Sequence, residues 1–283
     1  MIYVHRDWSK VPEEKLTRLK ALSEELEKIA DKADRKAFIA ANAGAWSDVR
    51  GELEAMSFGK CWYTESCDPA SRNQTDHYRP HGGAKQAEGQ FAEGYCWLAF
   101  DIENYRIIGV LANTQNREYS EETVGKGIWF PLADPDKRAT LENPDLAAET
   151  PLLLDPTDIA DTVKIEFWDN GEAHPSAHLD EDAKTIVDDA IVRMGIRQRM
   201  LNDARRKKWR DCIRAIEKYT RFQRKPKGQR TPEESATIDE LAQELITMAS
   251  AESEFSATVR CCLLSQRLDM FVTRDELAPL KLA

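Results

Sequence analysis

Asp76-His77-Tyr78-Arg79-Pro80 is the stretch whose residue types could do chemistry. Asn104 lies 27 residues after His77, and Asn113 nine residues further on. Hydrolysing a phosphodiester needs a base for water, a cation to neutralise the phosphate oxygens and a group that holds the base. Neighbours on a strand point to opposite faces. Asp76 would therefore reach a cation, and His77 the attacking water, if a bend or bulge brings both to one site. A helix across from that strand would deliver Asn113 as a second oxygen ligand. The Asn104 amide would hold the imidazole or its loop. Oxygen ligands of this kind suit Mg²⁺. The residues alone leave other readings open. An Asp-His dipeptide arises often by chance, and His77 could be a structural histidine satisfied inside the fold. Asn116, about one helical turn from Asn113, is a rival ligand.

The elements that must position these residues are read from periodicity. Residues 11–56 predict helices. Leu16, Leu19, Leu22, Leu26 and Ile29 form one apolar stripe, and Phe38, Ile39, Trp46, Val49 and Leu53 suggest a second helix with a break at 42–44. Residues 61–63 and 74–78 read as short strands separated by a turn-rich 67–73, and 101–118 as compatible with a short helix. Val163, Ile165 and Phe167 alternate with Lys164 and Glu166, a strand followed by the turn signal Asp169-Asn170-Gly171. From Asp182 onward the reading is helical again, with a basic loop at 223–230. Thr231-Pro232-Glu233-Glu234 then restarts a helix with a capping box.

The run KCWYTES, TDHYRP, ENYRIIGVLAN, KGIWFPL and LLLDPTD resembles the HNH, or ββα-metal, endonucleases. It is similar to the prokaryotic branch that includes the nuclease subunits of Septu-type and retron-associated antiphage systems. Cys61-Trp62-Tyr63-Thr64-Glu65 lies on that branch's cysteine knuckle and Asp76–Pro80 on its His motif. Glu103-Asn104-Tyr105 lies on its Asn segment, Ala112-Asn113 on the end of its CxxCN segment, and Phe130-Pro131-Leu132 with Leu152–Pro156 on its tail. The resemblance covers about residues 57–158 and, loosely, the N-terminal helices; the C-terminal hundred residues match nothing. It implies that His77 is the general base, Asp76 and Asn113 hold Mg²⁺ or another divalent cation, and Asn104 positions the His77 loop. It implies nucleic acid as substrate, with DNA favoured, and an ATPase partner that restrains the nuclease. The same site would serve RNA cleavage. A non-catalytic binding or assembly subunit with a degenerate HNH core is the alternative.

The family's four zinc-knuckle cysteines fall on Cys61, Thr64, Gly109 and Ala112 here, so no structural zinc is expected and Cys61 becomes a buried apolar residue. Glu65 reads as structural, His81 as a solvated loop residue, His174 and His178 as surface, and Cys261-Cys262 as core. Lys126, just before Phe130-Pro131-Leu132, would touch phosphate or stand exposed.

The expected architecture is α+β: an N-terminal helical region (1–56), a compact ββα-metal core (57–158) and a mostly helical C-terminal region with a basic arm (159–283). The net charge is -10, yet residues 193–230 carry fifteen Lys and Arg against three acids. Arg205, Arg206, Lys207, Lys208 and Arg210, interleaved with aromatics further along, suit phosphate contacts and stacking. The competing reading is an acidic partner or another part of the same assembly, as a homo- or hetero-oligomer. No apolar run approaches the ~20 residues of a membrane span. The N-terminal MIYVHRDWSK lacks a signal-peptide core. Six irregularly spaced cysteines do not make a disulfide scaffold, so a cytoplasmic, reduced protein is expected. Metal analysis of the purified protein should find no stoichiometric zinc; about one zinc per chain would show that Cys67, Cys96 or a histidine rebuilds the knuckle.

Overall fold

The computed structural model describes residues 1–68, 71–274, 276 and 277. Four helices open the chain: α1 (Glu13–Glu27), α2 (Lys32–Ala41), α3 (Gly44–Asp48) and α4 (Arg50–Met56). Asp31 caps α2 by accepting from the amides of Ala33 and Asp34. The break in the second helical run falls at 42–43, as its sequence suggests.

Strand β1 (Gln74–His77) follows, then the hairpin of β2 (Ala84–Ala87) and β3 (Gln90–Ala92), then β4 (Tyr105–Ile108) and the one-turn helix α5 (Val110–Asn113). β1 pairs antiparallel with β4, setting Asp76 opposite Arg106 and His77 opposite Tyr105. Two expectations are corrected here. Residues 61–63 are not strand: a turn runs over 62–64, and the Trp62 amide donates to the Ile107 carbonyl (2.9 Å). The stretch 101–118 does hold a short helix, α5, but only at 110–113; residues 105–108 before it are strand, because Tyr105 and Ile107 enter one apolar core while Ile108 enters another. Residues 69 and 70 of the expected 67–73 turn lie outside the described residues.

The C-terminal part comprises α6 (Ile159–Thr162), the hairpin of β5 (Ile165–Phe167) and β6 (Ala173–Pro175), and helices α7 (Glu181–Arg193), α8 (Arg199–Gln223), α9 (Pro232–Ala249) and α10 (Ser256–Ser265). The Thr231–Glu234 capping box is present. The last residues of the expected C-terminal helical run, 278–283, lie outside the description. The molecule is α+β with small antiparallel sheets. Among the described residues no helix is long and apolar enough to cross a membrane.

Three apolar clusters build the core. One joins α1–α4 to Trp62, Phe100, Tyr105 and Ile107. A second draws on Met1, Cys61, Tyr78, Phe130, Leu153, Phe167, Ile191 and Ala257. The third is formed by α8, α9 and α10 with Phe271. The boundaries expected at 56 and 158 separate none of the first two, because residues from all three regions share the second cluster.

The basic arm is corrected at Arg205. This side chain is 0% exposed. Its guanidinium donates to the carbonyls of Ile196 (2.7 Å) and Thr64 (3.2 Å) and lies over the Phe167 ring. Burial lowers its pKa to about 10. It serves the core and cannot meet a phosphate at the surface. Arg206, Lys207 and Arg210 are exposed; Arg206 pairs with Asp203 and Lys207 with Asp211. Arg205→Ala should therefore cost ~2–4 kcal/mol in chemical denaturation, since it empties a packed site and orphans two buried carbonyls. Arg206→Ala should change stability by less than about 0.5 kcal/mol.

Candidate functional site

β1 is four residues long, and its alternation decides the site. Gln74 and Asp76 face one way, Thr75 and His77 the other. On the first face Asp76 is buried and ion-paired with Lys126, whose ammonium lies 3.0 Å from Oδ1 and 2.9 Å from Oδ2 and donates also to the His77 carbonyl (2.9 Å). Lys126 itself is 0% exposed. Burial pushes the Asp76 carboxyl up, opposed by the Lys126 charge. The Tyr63 hydroxyl donates weakly to Asp76 at 3.4 Å.

Asn113, at the end of α5, reaches the same face. Its Nδ2 donates to Gln74 Oε1 (2.8 Å), while its Oδ1 is buried without a hydrogen-bond partner. The amides of Lys126 and Gly127 bond the carbonyls of Ala112 and Asn113, stitching the Lys126 segment to α5. Gly125 makes that approach possible: its φ is +112°, and a Cβ there would lie 2.3 Å from the Thr114 carbonyl oxygen. Asn116, the rival ligand, spends its amide locally, donating to the carbonyls of Leu111 and Thr114 and accepting from the Glu118 amide.

The residues fit a hard cation in part. Mg²⁺ takes oxygen donors, and the unpartnered Asn113 Oδ1 and the Asp76 carboxylate are such donors on one face. Lys126 already neutralises Asp76, so a cation would compete with this ammonium for one carboxylate. Among the described residues no group of three His, Cys, Asp or Glu side chains could hold a metal ion.

On the opposite face the His77 ring packs edge-on against Trp46 (5.0 Å between centroids), Tyr105 (5.1 Å) and His81 (4.5 Å). Its Nε2 lies 2.9 Å from the Ala99 carbonyl, which can only accept. The ring is thus protonated at Nε2, and Nδ1 keeps the lone pair. Burial lowers the His77 pKa to about 3, with His81 adding to the shift. No bulge interrupts the β1–β4 pairing, so the bend expected to bring Asp76 and His77 to one site is not found. The two face opposite sides of β1, one beside a charge and one among rings. His81 is half-buried against Trp46 and His77, not solvated as expected, because the following loop packs tightly: a Cβ at Gly94 would lie 2.6 Å from the His81 carbonyl oxygen.

Asn104 holds the segment that leaves β1. Its Oδ1 accepts from the Arg79 amide (2.8 Å), its Nδ2 donates to the Arg79 carbonyl (2.9 Å), and its own carbonyl accepts from the Tyr78 amide (2.8 Å). Both atoms of one side-chain amide thus clamp the turn that follows Asp76-His77. The tail motif completes the support. Asp155 takes a bidentate pair from Arg106 (2.7 and 2.6 Å), and Glu149 accepts from Arg79 and Tyr95. Sequence reasoning missed Arg106 and Asp155 as a supporting pair; their only signal was the Asp of LLLDP.

Cys61, Gly109 and Ala112 lie in one corner of the core. Cys61 is 1% exposed in the same cluster as Ala112, and a Cβ at Gly109 would lie 4.0 Å from Cys61 Cβ. Glu65 is structural: buried, it pairs with the Met1 ammonium (3.3 Å) and accepts from Ser256 and the Ala257 amide. Compared with known protein families and with curated proteins, the chain matches no family profile and no curated sequence.

His77 gives the site a pH signature. Its folded pKa of about 3 lies below the ordinary 6.5. The unfolded chain binds the extra proton between these values. The stability His77 contributes is complete above about pH 6.5 and is lost as pH falls toward 3. Urea denaturation across that range should show the fall, and His77→Gln should make it shallower; an unchanged slope would place His77 in solvent.

Proposed function

We propose that the chain is a phosphodiesterase of the HNH kind, a nuclease whose substrate is nucleic acid. The observation that carries this reading is the Asn104 clamp on the turn after Asp76-His77, within the order β1, β4, α5 that ends on Asn113. The clustering of Cys61, Gly109 and Ala112 supports the same alignment. Asp76 and Asn113 would hold a divalent cation, Mg²⁺ or a similar ion. When bound, it neutralises charge on the phosphate. Asn104 fixes the turn. His77 would take the proton of the attacking water at Nδ1, the ring atom left with a lone pair. An anionic phosphodiester nearby raises the imidazole pKa and so strengthens this base. Lys126, buried and donating to both Asp76 and the His77 carbonyl, would balance the carboxylate's charge and hold it in position.

The resemblance also supports an ATPase partner and a role in antiphage defence, within an assembly that restrains the nuclease. A non-catalytic scaffold is the second reading. It is favoured by the buried Asp76–Lys126 pair, which already supplies the carboxylate with a cation.

Purified protein should cleave plasmid, single-stranded DNA or total RNA in Mg²⁺ and not in chelator. His77→Ala should reduce the rate by ~10²–10⁴-fold and also lower the melting temperature, because it empties a buried site among Trp46, Tyr105 and His81. His77→Gln, which fills more of that site, should lose the rate with a smaller loss of stability. Asn104→Ala should reduce both rate and stability, because it frees two backbone groups of Arg79. Full activity in His77→Ala would remove this residue from the mechanism. Absence of cleavage with the partner present would favour the scaffold.

A further inference from the structure

A cleft of about 660 Å³ opens beside the His77 face of β1, within the roughly 300–1,000 Å³ of ligand pockets. Trp46 and His81 form part of its wall, and both also touch the His77 ring. The cleft and the proposed base therefore share one aromatic partition. Trp97, half-buried against Tyr95, lines it as well.

The charge of the cleft runs against that of the chain. Four Lys and Arg side chains line it against two Glu, on a protein of net charge -10. Lys32 is engaged by Glu93 at the exposed rim. Arg35 and Arg138 point their hydrogen bonds at neutral groups: Arg35 at the carbonyls of Ile29 and Ala30, Arg138 at Tyr95, Gln86 and the Phe130 carbonyl. Arg35 Nε is buried with no acceptor. Lys36 is exposed. Indole walls beside cations without full neutralisation are what a polynucleotide strand with unstacked bases requires: a π-face for the base and positive charge for the phosphate. A duplex offers no free base face to such a cleft.

We infer that this cleft holds an unstacked nucleotide of a single strand, so that the neighbouring phosphate is presented to the His77 end of β1. The inference rests on the nuclease reading for its purpose, though not for its binding chemistry. It adds the substrate class: single-stranded polynucleotide, whether DNA or RNA.

The test measures binding apart from cleavage. Fluorescent oligothymidylate, oligouridylate and a mixed-sequence duplex of equal length are titrated into the full chain in chelator, by anisotropy. Single strands should bind more tightly than duplex. Trp97→Ala should weaken single-strand binding by ~5–100-fold, the loss of one stacked base. Lys36→Glu, an exposed change that leaves the core untouched, should also weaken it and lessen its salt dependence. An oligodeoxyuridylate arm, matched in base to the oligouridylate, identifies the sugar. If these losses appear although the wild type cleaves nothing, the cleft stands and the nuclease reading falls. If the wild type cleaves, while folded Trp97→Ala and Lys36→Glu bind single strands as the wild type does, the nuclease reading stands and this inference is overturned. Preference for duplex overturns it also.

Discussion

The two-stranded ribbon of β1 and β4 is the constraint on which the rest of the structure depends, because it is the wall between two apolar cores. Tyr105 and Ile107 enter the core of the N-terminal helices; Ile108 enters the core built with the C-terminal part. A shift of one residue in register would exchange these faces and drive Asp76 and Arg106 into apolar surroundings. The register also fixes the environments of Asp76 and His77. The carboxylate must meet charge, since a buried one is costly without a partner, and Lys126 provides it. The imidazole must fit among rings and is held neutral there.

Buried charge recurs as a joining device. Arg106 pairs with Asp155 and ties the tail motif to β4. Glu65 pairs with the Met1 ammonium and accepts from the start of α10. Arg205 crosses from α8 to the Thr64 carbonyl. Each link spans distant stretches of sequence. Removing one partner of such a pair leaves the other buried and uncompensated, typically at ~3–5 kcal/mol. The C-terminal helices are in this way part of the scaffold around the central segment. The two long-range links at Thr64 and Glu65 stand close in sequence to the buried Cys61. Polar and apolar contacts hold this corner in the present chain.

Helix caps, the apolar stripe of α1, the strand at 165–167 and its Gly171 turn are local in origin, and the sequence alone determined them; Val163, read as part of that strand, instead ends α6 in an exposed turn. A capping box needs two residues three apart, and a stripe needs only its own period. The order of motifs likewise carried Asp76, His77, Asn104 and Asn113 as a candidate set. Tertiary structure decided what those side chains meet. Nothing near Lys126 in the sequence says that Gly125 lets it cross to Asp76. Nothing near Arg205 says that Phe167 and the distant Thr64 carbonyl help bury it inside a run of otherwise mostly solvated cations. The strand at Tyr105–Ile108 was hidden for the same reason: it is buried on both faces, with Arg106 beside Ile108 on one of them, so it shows no apolar–polar alternation, and only the two cores it separates make it a strand. Local hydrogen bonding and periodicity act over a few residues, whereas burial and charge pairing depend on which distant segments the folded chain brings together.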